Sequence, residues 1–186
     1  MVISTAKMNA RQFLQLGEDP VGVWLELVNG EVAIGPSQTP SHSFCRAQLA
    51  TVLGGFVDQH RLGEVYMDVN TVLDEFNVRR PDVLFFNGDH LDRIGEEAME
   101  GPPDLAIEVI SPSSIAVDRE DKSEQYRAAK VEYYWIVDPT LRTFEGWELK
   151  RGKYVATGRA HGVESIHLPP FKQLKISLKD LWRKQG

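Results

Sequence analysis

Two carboxylates in this sequence stand where a carboxylate is costly. Asp82, in "RRPDVLFF", heads an apolar strand pattern, and Glu108, in "PPDLAIEVISPSS", interrupts the run Leu105 to Ile110, which has the β-branched composition of a buried strand. An unpaired buried carboxylate costs several kcal/mol, so each must be neutralised, paired or metal-bound. Carboxylates on neighbouring strands make a hard-oxygen site for magnesium or manganese, ions that keep several waters and take one or two protein carboxylates. The backbone carbonyl of Val109 could add a ligand. Lys122 lies on the helix that follows, with Tyr126 one turn further along the same face. Its ammonium could orient or activate a metal-bound water, or offset charge on a phosphate.

Each residue also has an ordinary explanation. Glu108 could pair with Arg or Lys at a sheet edge. Asp82 could be satisfied by backbone donors or by Arg79 or Arg80. Lys122 could be a solvated helix residue in an i,i+4 pair with Asp118, and Tyr126 a packing residue with a hydrogen-bonded tip. Glu26 breaks the apolar run "VWLELV", and either points into the site as a further acid or lies on the solvent face of a hairpin. His42, at the start of a long helix, is a further site neighbour or a structural residue. Arg79, Arg80 and Arg119 are candidate phosphate contacts. Trp24, Trp135 and Trp147 read as core or interface rather than base-stacking platforms.

The elements that must position these groups follow from periodicity and punctuation. "MNARQFLQLGED" reads as a short helix, and "VWLELVNGEVAIG" as a hairpin turning at Asn29-Gly30. "SHSFCRAQLATVLGGFVDQHRLG" reads as a long helix stopped by Gly63, with Gly54-Gly55 either weakening it or admitting a close neighbour. Strands follow in "GEVYMDVNTVLDE" and "RRPDVLFFN", then a short helix near Leu91. "DLAIEVIS" is the central strand, ended by Pro112, with Ser113 or Ser114 to cap the helix "AVDREDKSEQYRAAK". "EYYWIVDP" is another core strand, "TFEGWELKRGKYVAT" a hairpin turning at Arg151-Gly152, and "SLKDLWRKQ" a closing helix capped by Ser177. The layout is mixed α/β, with a central mixed sheet covered by helices on both faces.

The chain has 186 residues, 42% hydrophobic and 26% charged, which suits one globular domain over residues 1–186. A net charge of −6 argues against broad, sequence-independent nucleic-acid coating but leaves room for a local basic groove. The single Cys45 can form no internal disulfide and lacks the company of a zinc site, so a cytoplasmic setting is expected. "MVISTAKMNARQF" has no apolar core of a signal peptide, and no run approaches the roughly 18 residues of a membrane span.

Together, "RRPDVLFF", "PPDLAIEVISPSS" and "DKSEQYRAAKVEYYWIVDP" resemble the Uma2 family, also called DUF820, a branch of the PD-(D/E)XK or restriction-endonuclease-like superfamily. "WLELVNGEV" and "PSQTPSHS" extend the resemblance upstream, over about residues 20 to 140. The resemblance implies a nuclease core flanked by an N-terminal and a C-terminal β-hairpin, with Asp82 and Glu108 holding Mg2+ or Mn2+. In the superfamily a lysine sits two residues after the acid. Here that position is Ile110, and Lys122 on the next helix fits the variant placement that Uma2-like proteins use. The expected function is metal-dependent hydrolysis of DNA phosphodiesters by a homodimer or higher homo-oligomer. The "EYYWIVDP" strand and the late hairpin are its expected association surface, and Lys122→Met is expected to spare folding. The alternative is a non-catalytic nuclease-fold module for nucleic-acid binding or assembly. A two-carboxylate glycosidase would leave Lys122 without a role.

Overall fold

The computed structural model describes residues 7–35, 38–111 and 114–183. Helix α1 (Ala10–Leu14) is closed at its start by a capping box between Asn9 and Gln12. Strands β1 (Leu25–Val28) and β2 (Glu31–Ile34) form the expected hairpin. Asn29 and Gly30 both take positive φ, 53° and 83°, the pattern that a two-residue turn requires. Helix α2 (Pro40–His60) starts with the Thr39 hydroxyl accepting the His42 N–H and with proline at the first turn. Strands β3 (Gly63–Tyr66), β4 (Thr71–Asp74), β5 (Asn77–Arg79) and β6 (Val83–Asn87) follow, then a 3-10 turn at Gly88–Arg93 and β7 (Leu105–Val109).

After β7 the chain makes a π-helical turn, Val117–Lys122, that runs into α3 (Ser123–Ala128). Strands β8 (Tyr133–Asp138), β9 (Thr143–Lys150), β10 (Lys153–His161), β11 (Ser165–Leu168) and β12 (Phe171–Ser177) complete the fold. The central sheet has the order β10-β9-β8-β7-β6-β3, and only its β7–β8 pair is parallel. A four-stranded sheet, β2-β1-β5-β4, brings the N-terminal hairpin beside it.

Alternation along the central strands sorts the two layers. On one face Val83, Phe85, Leu105, Ile107 and Val109 pack on Cys45, Leu49, Leu53 and Val57 of α2. On the other, Ala106, Ile110, Tyr134 and Ile136 pack on Tyr126 of α3. Glu108 has the parity of Ala106 and Ile110, so it faces α3.

Several expectations change. Among the described residues the closing helix is a 3-10 turn, Leu178–Asp180, and Ser177 makes no capping bond, with Leu178, Leu181 and Trp182 drawn into the core; Lys184 and Gln185 lie outside the described residues. The residues before it form the β11–β12 hairpin, which local pattern did not suggest. A side chain at Gly54 or Gly55 would start in open space, so neither glycine is there to admit a close neighbour. The aromatic strand β8 is interior to the sheet, with Tyr134, Trp135, Ile136 and Val137 buried, so it offers no association surface. Pro112 and Ser113 lie outside the described residues. Ser114 turns back, its hydroxyl accepting the Ser111 N–H at 2.9 Å, and among the described residues the π turn that starts after Ala116 has no side-chain cap.

Candidate active site

The antiparallel β6–β7 register pairs Val83 with Ile107 and Leu84 with Ala106. One step further along, Asp82 falls opposite Glu108. Asp82 Oδ2 accepts the Val109 N–H at 2.8 Å and lies 3.1 Å from His42 Nε2. Arg46 Nη1 stands 3.8 Å from Asp82 Oδ1 and 3.1 Å from Asp68 Oδ2. The first turn of α2 thus delivers an imidazole to one carboxylate, and β7 delivers a backbone donor to it.

Glu108 is 1% exposed and both of its oxygens are engaged. Lys122 Nζ donates to Oε2 at 2.8 Å, and the Tyr126 hydroxyl donates to Oε1 at 2.6 Å. Lys122, itself 4% exposed, also lies 3.2 Å from Asp118 Oδ1. Asp118, Lys122 and Tyr126 are spaced four apart and turn the same face inward, so the solvated-lysine reading of Lys122 fails. Glu26 is likewise buried: Arg79 Nη1 reaches its Oε2 at 2.8 Å and the Arg80 N–H reaches its Oε1 at 3.0 Å.

These positions set the charge states. Burial raises the Glu108 carboxyl well above the ordinary range, Lys122 pulls the other way, and Asp118 and Asp82 reinforce the rise. Burial also opposes the Lys122 charge, yet Glu108, Glu26, Asp118 and Asp82 outweigh it and hold the amine above the usual lysine range. Lys122 is therefore a fixed cation, and Glu108 is an acid that burial inclines toward its protonated form. Asp118 is raised, chiefly by burial. Glu26 shifts down although burial pushes it up, because Lys122, Arg79 and the Arg80 N–H favour its anion. Burial, then Glu108, keeps the Tyr126 phenol protonated, so it remains a donor.

Asp82, Glu108, Val109, Lys122, Glu26 and His42 all line one cleft, together with Asp68, Asp118, Arg80 and Trp24. It encloses about 40 Å³, room for a few waters or a partly hydrated ion. Its walls carry five carboxylates against two permanent cations, Arg80 and Lys122. Among the described residues no three His, Cys, Asp or Glu side chains form a closed metal cage. Asp82 and Glu108 instead offer a two-carboxylate oxygen set, which suits an ion that keeps waters.

Asp118 was visible in the sequence only as half of a helix pair, and the i,i+4,i+8 series with Lys122 and Tyr126 was the available signal. Of the arginines considered as phosphate contacts, Arg79 is spent on Glu26, Arg119 makes a bidentate pair with Glu145, and Arg80 is tied to Asp19 and Asp68. Only Arg80 lines the cleft.

The Uma2 family model, described as "Putative restriction endonuclease", matches residues 10–179, and the chain belongs to this family. The fold is shared with a crystal structure titled as a putative nuclease belonging to DUF820 from Anabaena variabilis. That match has a TM-score of 0.77 and 18% identity, and covers 94% of this chain and 97% of that one. A type IIG restriction endonuclease, BpuSI, aligns over 60% of this chain and 12% of its own, at 17% identity and a TM-score of 0.38, too low to bear on the site. No curated protein matches the chain. Among the described residues, no helix is long and apolar enough to cross a membrane.

Proposed function

We propose that this chain is a magnesium- or manganese-dependent endonuclease that hydrolyses DNA phosphodiesters. The observation that carries the reading is the meeting of Asp82, Glu108 and Lys122 in one cleft, from the residue before β6, from β7 and from the π turn. An excess of carboxylates repels a phosphate unless a cation stands between them, and the oxygen donors of Asp82 and Glu108, with the Val109 carbonyl as a further candidate, suit a hard divalent ion. When bound, such an ion supplies Lewis-acid polarisation of the phosphate and a more acidic water.

The chain's own groups do the rest. Lys122, clamped between Glu108 and Asp118, presents fixed positive charge to the cleft and offsets charge gathering on the phosphoryl oxygens. Tyr126 and Lys122 hold the Glu108 carboxylate in one orientation, while His42 and the Val109 N–H do the same for Asp82. Uncatalysed phosphodiester cleavage is so slow that roughly 20 kcal/mol of barrier must be removed, and preorganised charge is the means this site offers. Cutting both strands of a duplex symmetrically calls for a two-fold dimer, which sedimentation at tens of micromolar would detect.

The test is cleavage of single-stranded and duplex DNA in magnesium, manganese or EDTA, with wild type beside Asp82→Ala. Metal-dependent cleavage that the substitution abolishes supports the proposal. Metal-responsive binding without cleavage would transfer the fold to the non-catalytic reading.

A further inference from the structure

Trp24 stands at the edge of this cleft. Among the described residues it is the most exposed Phe, Tyr or Trp side chain, at 37%. An aromatic of this size is normally buried far more completely. The three tryptophans elsewhere in the chain, Trp135, Trp147 and Trp182, are buried or half-buried against the core. Trp24 is also held on a rigid support. Its carbonyl accepts the Gly35 N–H at 2.7 Å, which extends the β1–β2 ladder one step beyond the Leu25–Ile34 pair.

Beside it, the Arg80 guanidinium lies 5.1 Å from the ring centroid. Arg80 is fixed in turn: its Nε donates to the Asp68 carbonyl at 3.2 Å, and its Nη1 pairs with Asp19. An arginine so neutralised is a poor phosphate clamp but a good stacking plane. A rigid indole backed by an immobilised guanidinium, both lining a cleft with Asp82 and Glu108, is the arrangement on which a flat, neutral, aromatic ligand stacks.

We propose that Trp24 and Arg80 form a stacking platform for a nucleobase next to the phosphate engaged at Asp82 and Glu108, so that the site takes single-stranded or locally opened DNA. This rests on the nuclease reading and sharpens its substrate class. In a paired duplex both faces of a base are already covered, and a platform can engage only a base that has left the stack. Stacking reads no base identity, so the platform confers strand-state preference rather than sequence preference.

The test is binding in calcium, which takes the same oxygen ligands, to a labelled single strand of about 16 nucleotides, the upper end of one small fold's site size. The duplex of the same sequence is the comparison. Trp24→Ala should weaken single-strand binding by about 5- to 100-fold, the range for one stacked base, and duplex binding by less than about twofold. Trp24→Phe should restore most of the loss. Moving one abasic position along the strand should weaken wild-type binding at one or two sites and leave Trp24→Ala unaffected, a readout that needs no variant to reveal the stack in the wild type. Equal loss on both forms of DNA, or no abasic penalty at any position, overturns the platform. Trp24-dependent binding without cleavage in any metal would keep the platform and remove the nuclease reading. Asp82-dependent cleavage with unchanged binding by Trp24→Ala would do the reverse, and no binding to single strands would remove the platform outright.

Discussion

Lys122 Nζ lies 2.8 Å from Glu108 Oε2, and both side chains are almost wholly buried. The pair joins the π turn, Val117–Lys122, to the central strand β7. A buried pair of this kind is weak evidence of stability in itself, but breaking it from one side is costly.

Lys122→Met should therefore do more than slow catalysis. It leaves Glu108, Asp118 and Glu26 without their shared cation, and such one-sided losses cost about 3–5 kcal/mol. This replaces the expectation that the variant folds normally. Part of the loss should return in mild acid, as Glu108 takes up a proton and ceases to be an uncompensated charge. Thermal melts of wild type and variant at pH 5 and pH 8 check this. An equal deficit at both pH values would argue that lost packing, not charge, is the cause.

The raised carboxyl of Glu108 makes a second prediction, for protein kept in EDTA. Above the ordinary value of 4.5 the unfolded chain has released this proton while the folded chain still holds it. The native state then binds more protons, and stability falls as pH rises. The contribution is fully present below 4.5 and is lost as pH rises through the folded value; Asp118 adds to it in the same direction. Glu26, shifted down, acts oppositely: its contribution is present above 4.5 and lost as pH falls through its folded value. Denaturant melts across pH 4 to 8 should show the Glu108 slope, and Glu108→Gln should flatten it.

How far these features can be read from the sequence differs from element to element. The Asn29-Gly30 hairpin, α2 and the apolar strands β6 and β7 were legible because local chemistry and tertiary packing agree there. Asp82 and Glu108 were legible because each interrupts an apolar pattern. Lys122 and Tyr126 were legible as one helix face, but the burial of Asp118 beside them was not, since a polar helix with an i,i+4 Asp–Lys pair reads as solvent-exposed. Nor was the β11–β12 hairpin: "SIHLPPFKQLKIS" alternates poorly, and its place is set by Ile166, Leu168, Phe171 and Ile176 packing into the α2 side of the core. Trp24 is another case, since its exposure depends on what the rest of the fold leaves uncovered.

A divalent ion should stabilise the folded chain, because the folded state alone assembles Asp82 and Glu108. At one hundred times its dissociation constant the gain is about 2.7 kcal/mol. Binding must displace the proton that Glu108 tends to hold, so the gain should be larger at pH 8 than at pH 6. Manganese and magnesium titrations followed by melting temperature measure it. Asp82→Ala and Glu108→Gln should each abolish the rise, whereas an unchanged rise in either variant would place the ion elsewhere.

Asp118 offers the sharpest separation between holding the fold and holding the catalyst. It sits 3.2 Å from Lys122, one helical turn away, on the π turn that aims both side chains at the cleft. π turns concentrate at functional sites because they reposition side chains at the expense of regular hydrogen bonding. Asp118→Asn preserves size and an acceptor oxygen but removes one of the acids that surround Lys122. Repulsion of Glu108 falls, so stability should change by less than about 1 kcal/mol or improve slightly. The ammonium, however, loses the anion that fixes its second side, and a misplaced charge stabilises a transition state poorly. If the site is catalytic, kcat should fall by about 10-fold or more, with KM little changed, as for an interaction made mainly in the transition state. Asp118→Ala should lower kcat further, since Glu108 then remains the one side chain of the pair of anchors that holds Lys122. Full activity in both variants would assign Asp118 to the fold alone and leave Glu108 as the sole anchor of the lysine.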